Sequence, residues 1–308
     1  MSAAENCKIG SASSRLREIA FEDENVLQHK PRRLGPLIVP VLLVAICARA
    51  AGAALGADEI IKQHLQSLGP AEARGVKSRV VEGSAIYKLL VGGSGQIQGK
   101  AVLVSERQKL HLLLKVNANE YRGEQFICDG ERTDVAGTYA DKTRSEFGEF
   151  VRTQDVMLRE GLLGGVLSTA WPMLDADVRK AKVNYEAEKR VENRQLQVLR
   201  YRPKKATDLI IFLYFDPETF RHVMTSYELT IRPTVVSEIE NARQQETRYR
   251  IEERFGDFKV VDGLTLPSHY DLRFTEELQN GFTKSLEWDV TTTRVLNNVS
   301  LDPRNFQF

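Results

Sequence analysis

Alternating apolar and polar residues dominate the chain from about residue 78 to residue 296 and predict β-strands. The clearest case is FGDFKVVDGLTLPSHYDLRF, residues 255–274, where the alternation stops at Asp262-Gly263 and then resumes. An Asp-Gly pair between two alternating runs is a strong signal for a two-residue β-turn. This stretch is therefore predicted to be a β-hairpin, with Pro267 at a bulge or a sheet edge. Counting the other alternating runs gives about ten or eleven antiparallel strands with short connections.

Helical spacing replaces the alternation in two places. Near the start, DEIIKQHLQSLG predicts a short helix that Asp58 caps and that Gly69-Pro70 ends. In mid-chain, about residues 144–174, apolar residues fall at helical spacing, and three glycines weaken the second helix by roughly 1 kcal/mol each relative to alanine. This segment is interpreted as a movable lid over the sheet. A plain helical crossover that packs on the core is the alternative.

The predicted fold class is therefore mainly β: an incomplete antiparallel β-barrel with an N-terminal helix and a mid-chain helical lid. A sheet of this size has a concave face, which becomes an apolar ligand cavity if side chains do not fill it. The expected ligand-binding residues are inward-facing positions of two strands and a cover from the lid: Leu110, Leu112, Leu114, Leu162, Leu163, Trp171, Tyr270, Leu272 and Phe274. A filled core made of the same residues is the alternative, because periodicity alone does not separate the two.

The first 57 residues have a different character. Basic residues at positions 30, 32 and 33 precede an uncharged apolar run, residues 34–48, and small residues with A-x-A cleavage patterns follow. This order is typical of a secretory signal peptide, and the run is shorter than the roughly 20 residues of a spanning helix. We expect residues 1–57 to be a leader and signal peptide and residues 58–308 to form a single domain in the periplasm or cell envelope. An uncleaved anchor and a buried core helix are the alternatives, and a start codon further downstream would explain the long polar leader.

Composition and spacing argue against several classes of function. The 43 Lys and Arg residues balance the 42 Asp and Glu residues, so the summed field favours neither nucleic acid nor an acidic membrane surface. GGSGQIQGK lacks the first glycine and the Ser or Thr of a phosphate loop, and the five histidines show no metal-binding spacing. The three cysteines, Cys7, Cys47 and Cys128, form no CxxC pair, and Ile46 before Cys47 argues against lipidation there. We therefore expect no catalytic residue, no metal and no cofactor, and a monomer.

Two stretches resemble the LolA/LolB-like proteins, the periplasmic carriers of outer-membrane lipoproteins. In that family a strand ends at an Asp-Pro or Asp-x-x-Thr turn, as in DPET at residues 216–219. A later strand pair reads roughly F-x-D-(Y/F)-x-x-V-D-G, as in FGDFKVVDG at residues 255–263, with Leu266-Pro267 after it. The resemblance covers about residues 58–296 and implies an incomplete barrel, closed by helices around a cavity for acyl chains, with no catalytic residues. The family's carriers latch their lid with an arginine, and no arginine of this chain aligns with it from sequence.

Three hypotheses about function follow. The first is a secreted, non-enzymatic binding protein that holds a lipid or lipoprotein acyl chain, as a carrier would. The second is an envelope-stress sensor or interaction module on the same fold, with a membrane-associated partner protein. The third is a hydrolase whose site is assembled from scattered carboxylates and histidines, which requires such groups with perturbed pKa values inside the concavity.

Overall fold

The β-rich pattern folds into one antiparallel sheet of twelve strands in the computed structural model. The structure describes residues 56–90, 94–117, 121–138, 144–175, 179–232, 246–278 and 280–308. These residues all fall within one compact unit, Gly52–Phe308. The predicted signal peptide, with Cys7 and Cys47, lies outside the described residues, so the leader remains a prediction.

The elements follow one another in two runs of strands with a helical connection between them. The chain starts with α1 (Ala57–Leu68) and α2 (Ala71–Arg74). The first run contains β1 (Ser78–Leu90), β2 (Ser94–Glu106), β3 (Lys109–Val116), β4 (Gly123–Cys128) and β5 (Thr133–Gly137). The connection contains α3 (Glu146–Thr153), α4 (Val156–Arg159) and single 3-10 turns at Gly165–Leu167 and Pro172–Leu174. The second run contains β6 (Lys182–Val191), β7 (Arg194–Arg202), β8 (Ile210–Phe215), β9 (His222–Ile231), β10 (Thr247–Val261), β11 (Leu264–Glu277) and β12 (Thr283–Asn297), with a last 3-10 turn at Pro303–Phe306.

The strand order leaves the sheet open. It runs β5-β4-β3-β2-β1-β12-β11-β10-β9-β8-β7-β6, so the first and last strands of the chain pair in the middle and β5 and β6 are the edges. The connection that carries α3 and α4 leads from one edge strand to the other. The predicted incomplete antiparallel barrel with a mid-chain helical segment is therefore confirmed.

The structure has more strands than the ten or eleven predicted. The additional turn lies between β6 and β7, where Glu192 adopts a positive φ of 55°. The turn, Glu192-Asn193, contains neither the Asp-Gly nor the Asp-Pro pair that marks other turns of the chain. At the predicted β10–β11 hairpin the signal was reliable, because Asp262 and Gly263 both have positive φ, 50° and 78°.

The predicted N-terminal helix forms, but Asp58 does not cap it. The N-cap is Gly56, and Asp58 lies in the first turn of α1. Ile60, His64 and Leu68 are buried on one face of α1. Among the described residues, no helix has both the length and the hydropathy that crossing a membrane requires.

The main core lies on the concave face of the sheet. One hydrophobic cluster joins inward-facing residues of the sheet with α1, α3 and the segment after α3. A second, smaller cluster contains alternate residues of β7, β8 and β9, including Val198, Phe212 and Tyr214. The helical connection therefore packs inside the curve of the sheet.

Candidate functional site

The nine predicted ligand-binding residues lie together on the concave face. Each is at most 3% exposed, and all belong to the main hydrophobic cluster. Leu110, Leu112 and Leu114 come from β3, whereas Tyr270, Leu272 and Phe274 come from β11. In this structure they are packed within that cluster, and a cleft of about 880 Å³ lies elsewhere, between α2, the β2–β3 turn, the β4–β5 turn and residues 169, 174 and 175. Whether these residues bind a ligand is thus a question about what displaces their present neighbours.

Among those neighbours are residues 156–174, which we call the plug and which include three of the nine, Leu162, Leu163 and Trp171. The plug is irregular, because α4 has only four residues and Gly161, Gly164 and Gly165 all have positive φ. Its side chains are nonetheless buried, with Leu162 and Leu163 fully so. At Gly165 an added Cβ would lie 2.6 Å from the Phe255 ring, so the plug backbone lies directly against the sheet. A segment with so little regular structure leaves backbone N–H and C=O groups that need partners inside the core.

Arg79 on β1 supplies partners for two plug carbonyls. Its Nη1 donates to Val166 O at 2.8 Å and Leu167 O at 3.4 Å, and its Nε donates to Asn297 Oδ1 at 2.8 Å. Arg79 is 5% exposed, and burial lowers the pKa of its guanidinium to about 10. Sequence alone did not identify this position, where a buried arginine binds two backbone carbonyls of the plug.

Glu253, on β10, also binds the backbone of the plug. Its Oε1 accepts from Gly164 N at 2.6 Å and from the Tyr270 hydroxyl at 2.8 Å, and its Oε2 accepts from the Tyr227 hydroxyl at 2.6 Å. The carboxyl is fully buried, and burial raises its pKa to about 7 despite these three donors. Tyr270, one of the predicted ligand-binding residues, therefore donates to the carboxyl that binds the plug.

The C-terminal part of the plug is held through Trp171. Its indole Nε1 donates to His64 Nε2 at 3.1 Å, while His64 Nδ1 lies 3.1 Å from Phe220 O, which fixes a neutral tautomer with the proton on Nδ1. Burial lowers the pKa of His64 to about 4. On the other side of Trp171, the His222 ring lies 4.4 Å away between centroids, and burial, with His64 nearby, lowers the pKa of His222 well below its usual range.

Two further contacts hold the plug. Thr169 N donates to Ser105 Oγ on β2 at 3.0 Å, and Arg179 Nη2 donates to Ala170 O at 2.7 Å. Together with Arg79, Glu253 and His64, these groups surround the plug with side-chain hydrogen bonds. We call these five side chains the clamps.

The clamps include the buried histidine and carboxyl groups that a hydrolase site would require. Glu253, His64 and His222 are all fully buried, and their hydrogen bonds join them to the plug or to the sheet. The closest arrangement to a nucleophile and base is Thr225 Oγ1 at 2.9 Å from His222 Nε2, with both residues fully buried. In this structure both groups are closed off from any substrate.

A separate titratable group lies on the outer face of the sheet. His269, Asp271 and Asp289 place ligand atoms within 4.8 Å of one another. Lys88 Nζ lies 3.3 Å from Asp289 and 2.9 Å from Glu287, so the group continues into a ladder of ion pairs. The His269 side chain is 33% exposed in this ladder.

The sequence analysis missed Arg79, Glu253 and His64 as parts of the site. Strand alternation carried a usable signal for two of them. Arg79 has the same parity as the inward-facing Val81, and Glu253 has the same parity as Ile251 and Phe255. A charged residue at an inward position of an apolar strand marks a buried polar contact.

No protein-family model and no curated protein matches the chain. Solved structures do resemble it. A LolA superfamily protein from Nitrosomonas europaea is 11% identical with a TM-score of 0.45, and the match covers 83% of this chain and 99% of that one. An outer-membrane lipoprotein-sorting protein domain from Vibrio parahaemolyticus is 13% identical with a TM-score of 0.39, covering 82% and 97%. The MucA/MucB complex of Pseudomonas aeruginosa is 10% identical with a TM-score of 0.22, covering 79% and 100%. At these identities the likeness concerns the fold alone, and in fold the chain is similar to LolA-superfamily structures, as its turn motifs predicted.

Proposed function

We propose that this chain is a non-enzymatic binding protein of the cell envelope that holds an acyl chain of a lipid or lipoprotein in the space now filled by the plug. The observation that carries the proposal is the way the plug is held. Its apolar side chains fill the concave face, whereas side chains of the sheet bind its backbone. Of the nine predicted residues, the six on β3 and β11 would then contact the ligand, whereas Leu162, Leu163 and Trp171 would move with the plug.

The energetics favour such an exchange. An acyl chain gains about 0.8 kcal/mol for each buried methylene group, which offsets the apolar contacts that the plug loses. Each clamp contributes a net 0.5–1.5 kcal/mol, or roughly 1.5–3 kcal/mol where it is charged, so the clamps set the balance between closed and ligand-bound states. A plug held only by apolar packing would lack such local, reversible contacts.

A reversible cross-link between plug and sheet tests the proposal. Ser105 Oγ and Thr169 N are 3.0 Å apart, so Ser105→Cys and Thr169→Cys place two thiols on adjacent backbones. The double variant is made with Cys7, Cys47 and Cys128 replaced by alanine, and binding of a dansyl-labelled fatty acid is measured in both redox states. We expect the reduced protein to bind the probe and the disulfide form to bind none.

Single-cysteine variants at the same two positions are the matched controls, because oxidation leaves them uncrosslinked. Equal binding by the reduced and oxidised double variants would contradict the proposal, as would failure of the reduced protein to bind any acyl probe. Mass spectrometry of lipids extracted from the purified protein would identify the natural ligand.

A further inference from the structure

Exposed apolar side chains concentrate at one end of the sheet. Six of the nine exposed large apolar residues in the described part of the chain lie where β1, β9 and β11 finish and where β8 and β12 begin. They are Leu89, Leu90, Ile210, Ile231, Leu278 and Phe282, each 36–50% exposed. We call this set the apolar rim.

The strand register makes the rim continuous. Leu90 pairs with Ser285 on β12, the Leu278 N–H donates to Phe282 O at 2.9 Å in the β11–β12 turn, and Ile231 pairs with Thr247 on β10. From β1 to β8 there are five steps between neighbouring strands, about 24 Å at the usual spacing of about 4.8 Å. A line of apolar side chains on turns and strand ends therefore follows the edge of the curved sheet.

Cations accompany the rim. Arg202, Lys204 and Lys205 are exposed in the β7–β8 connection, just before Ile210, and none forms an ion pair with another described residue. Arg232 follows Ile231 with its side chain 82% exposed and pairs with Glu246 at 3.1 Å. Residues 202–208 carry these three cations and one acidic residue, the exposed Asp208, so this stretch is locally positive although the whole chain has a formal net charge of only +1.

We infer that the apolar rim docks the protein on the surface of an anionic lipid bilayer. Side chains on convex turn tips can enter the interface between headgroups and acyl chains, and neighbouring cations are attracted to anionic lipid. A peptide or protein partner that inserted a side chain would need a pocket. The shallow cleft at this end, lined by Thr230, Arg248 and Glu277 among others, includes none of the six rim residues.

Vesicle co-sedimentation of the full-length protein tests this inference. Vesicles of phosphatidylcholine alone are compared with vesicles of phosphatidylcholine and phosphatidylglycerol. We expect the protein to pellet with the anionic vesicles and to be released by salt, because charge attraction is screened within a Debye length. Leu278→Ser with Phe282→Ser, and separately Lys204→Glu with Lys205→Glu, should each weaken binding roughly tenfold or more.

The opposite end of the sheet offers a matched control. Val260 is 74% exposed and follows the exposed Lys259, next to the β10–β11 turn. Lys259→Glu with Val260→Ser thus removes one apolar residue and reverses one charge without touching the rim, and it should leave vesicle binding unchanged. Circular dichroism and urea midpoints check that all variants fold.

Three results would overturn the inference: no pelleting of the wild type with anionic vesicles, equal loss in the Lys259/Val260 control, or unchanged binding in both rim variants. Recovery of the rim in a cross-link to an envelope protein, without vesicle binding, would assign it to a protein partner and also overturn the inference. The disulfide form of the Ser105/Thr169 variant should still bind vesicles, so docking and acyl binding fail independently.

Discussion

Two neighbouring parts of the β5–β6 connection are buried on the same sheet by different means. Helix α3 satisfies its own backbone groups and attaches through side chains: Phe147 is fully buried, with its ring 5.2 Å from Phe126 and 5.8 Å from Phe274 between centroids. The plug has little regular structure, and its backbone is bound by side chains of the sheet such as Arg79 and Glu253. Helix α3 is held mainly by packing, whereas the plug is held by packing and by clamps.

The way each part is held indicates which of them, α3 or the plug, can separate from the sheet. Both parts bury apolar side chains, but the backbone of the plug depends on hydrogen bonds to the sheet, so the plug can leave when those bonds break and an acyl chain replaces its apolar contacts. We therefore expect α3 to stay on the sheet in the opened protein. Hydrogen exchange reports the free energy of local plug opening, and urea unfolding reports global stability, so variants can separate the two parts.

The largest expected effect follows from truncation in α3. Phe147→Ala should lower the free energy of unfolding by about 3–5 kcal/mol, because it leaves a cavity under a fully buried ring. The closed and opened states both contain α3 on the sheet, so the free energy of plug opening should not change. Phe308→Ala, at a 54% exposed phenylalanine, is the control and should change neither quantity. Faster exchange in residues 156–174 of the Phe147 variant would show that α3 and the plug open together.

Loss of the arginine clamp should lower both the free energy of plug opening and the free energy of unfolding. Arg79→Met leaves the Val166 and Leu167 carbonyls without their donor, and we expect a loss of roughly 2–3 kcal/mol. The contact is present only in the closed state, so the plug-opening free energy and the unfolding free energy should fall by the same amount. Arg248→Met, at a side chain that is 63% exposed, controls for the removal of a guanidinium. Unchanged exchange in the plug would show that Arg79 does not hold it.

The sequence predicted the sheet better than it predicted these clamps, for a physical reason. Strand alternation and the Asp262-Gly263 turn are local features, and each local choice agrees with the final fold. Alternation also placed Leu110, Leu112 and Leu114 on the concave face correctly. A clamp joins residues that are far apart in the sequence, such as Arg79 and Val166. The sequence pattern does not indicate which distant group a buried polar side chain will bind. Parity could flag Arg79 as inward-facing, but not what it would bind.

A smaller effect is expected at Glu253, and it depends on pH. The pKa of this carboxyl is about 7 in the folded protein and is usually near 4.5, so its stabilising contribution is complete below pH 4.5 and is lost as the pH rises through 7. Between pH 5 and pH 7 this loss amounts to about 2 kcal/mol. The His64 imidazole acts in the opposite direction, because its folded pKa of about 4 makes stability rise from pH 4 to pH 6.5.

Glu253→Gln should therefore remove the carboxyl's effect on the pH dependence of stability and leave the opposite effect of His64. Relative to the wild type, the variant should gain about 2 kcal/mol of unfolding free energy between pH 5 and pH 7, measured by urea unfolding at both values. Glu252→Gln is the matched control, since Glu252 pairs with Arg250 at 3.0 Å on the outer face and does not contact the plug. Parallel pH profiles for the Glu253 variant and the wild type would exclude Glu253 as a titrating clamp.

The smallest expected effect is at Ser145, the N-cap of α3, and it tests whether α3 and the plug open separately. Ser145 Oγ accepts from Gly148 N at 3.1 Å and caps α3, while Ser145 N donates to Glu124 Oε1 at 2.7 Å. Ser145→Ala removes the cap and the 2.8 Å hydrogen bond that Ser145 Oγ donates to Glu124 Oε2 but keeps the backbone bond, so the unfolding free energy should fall by about 1–2 kcal/mol. Exchange should quicken in the first turn of α3 and stay unchanged in residues 156–174, because the cap does not contact any clamp. Ser145→Thr, which retains the hydroxyl, should restore the cap. If Ser145→Ala also loosened the plug, the lid would be a single unit that begins at Ser145, and the clamps would hold α3 as well.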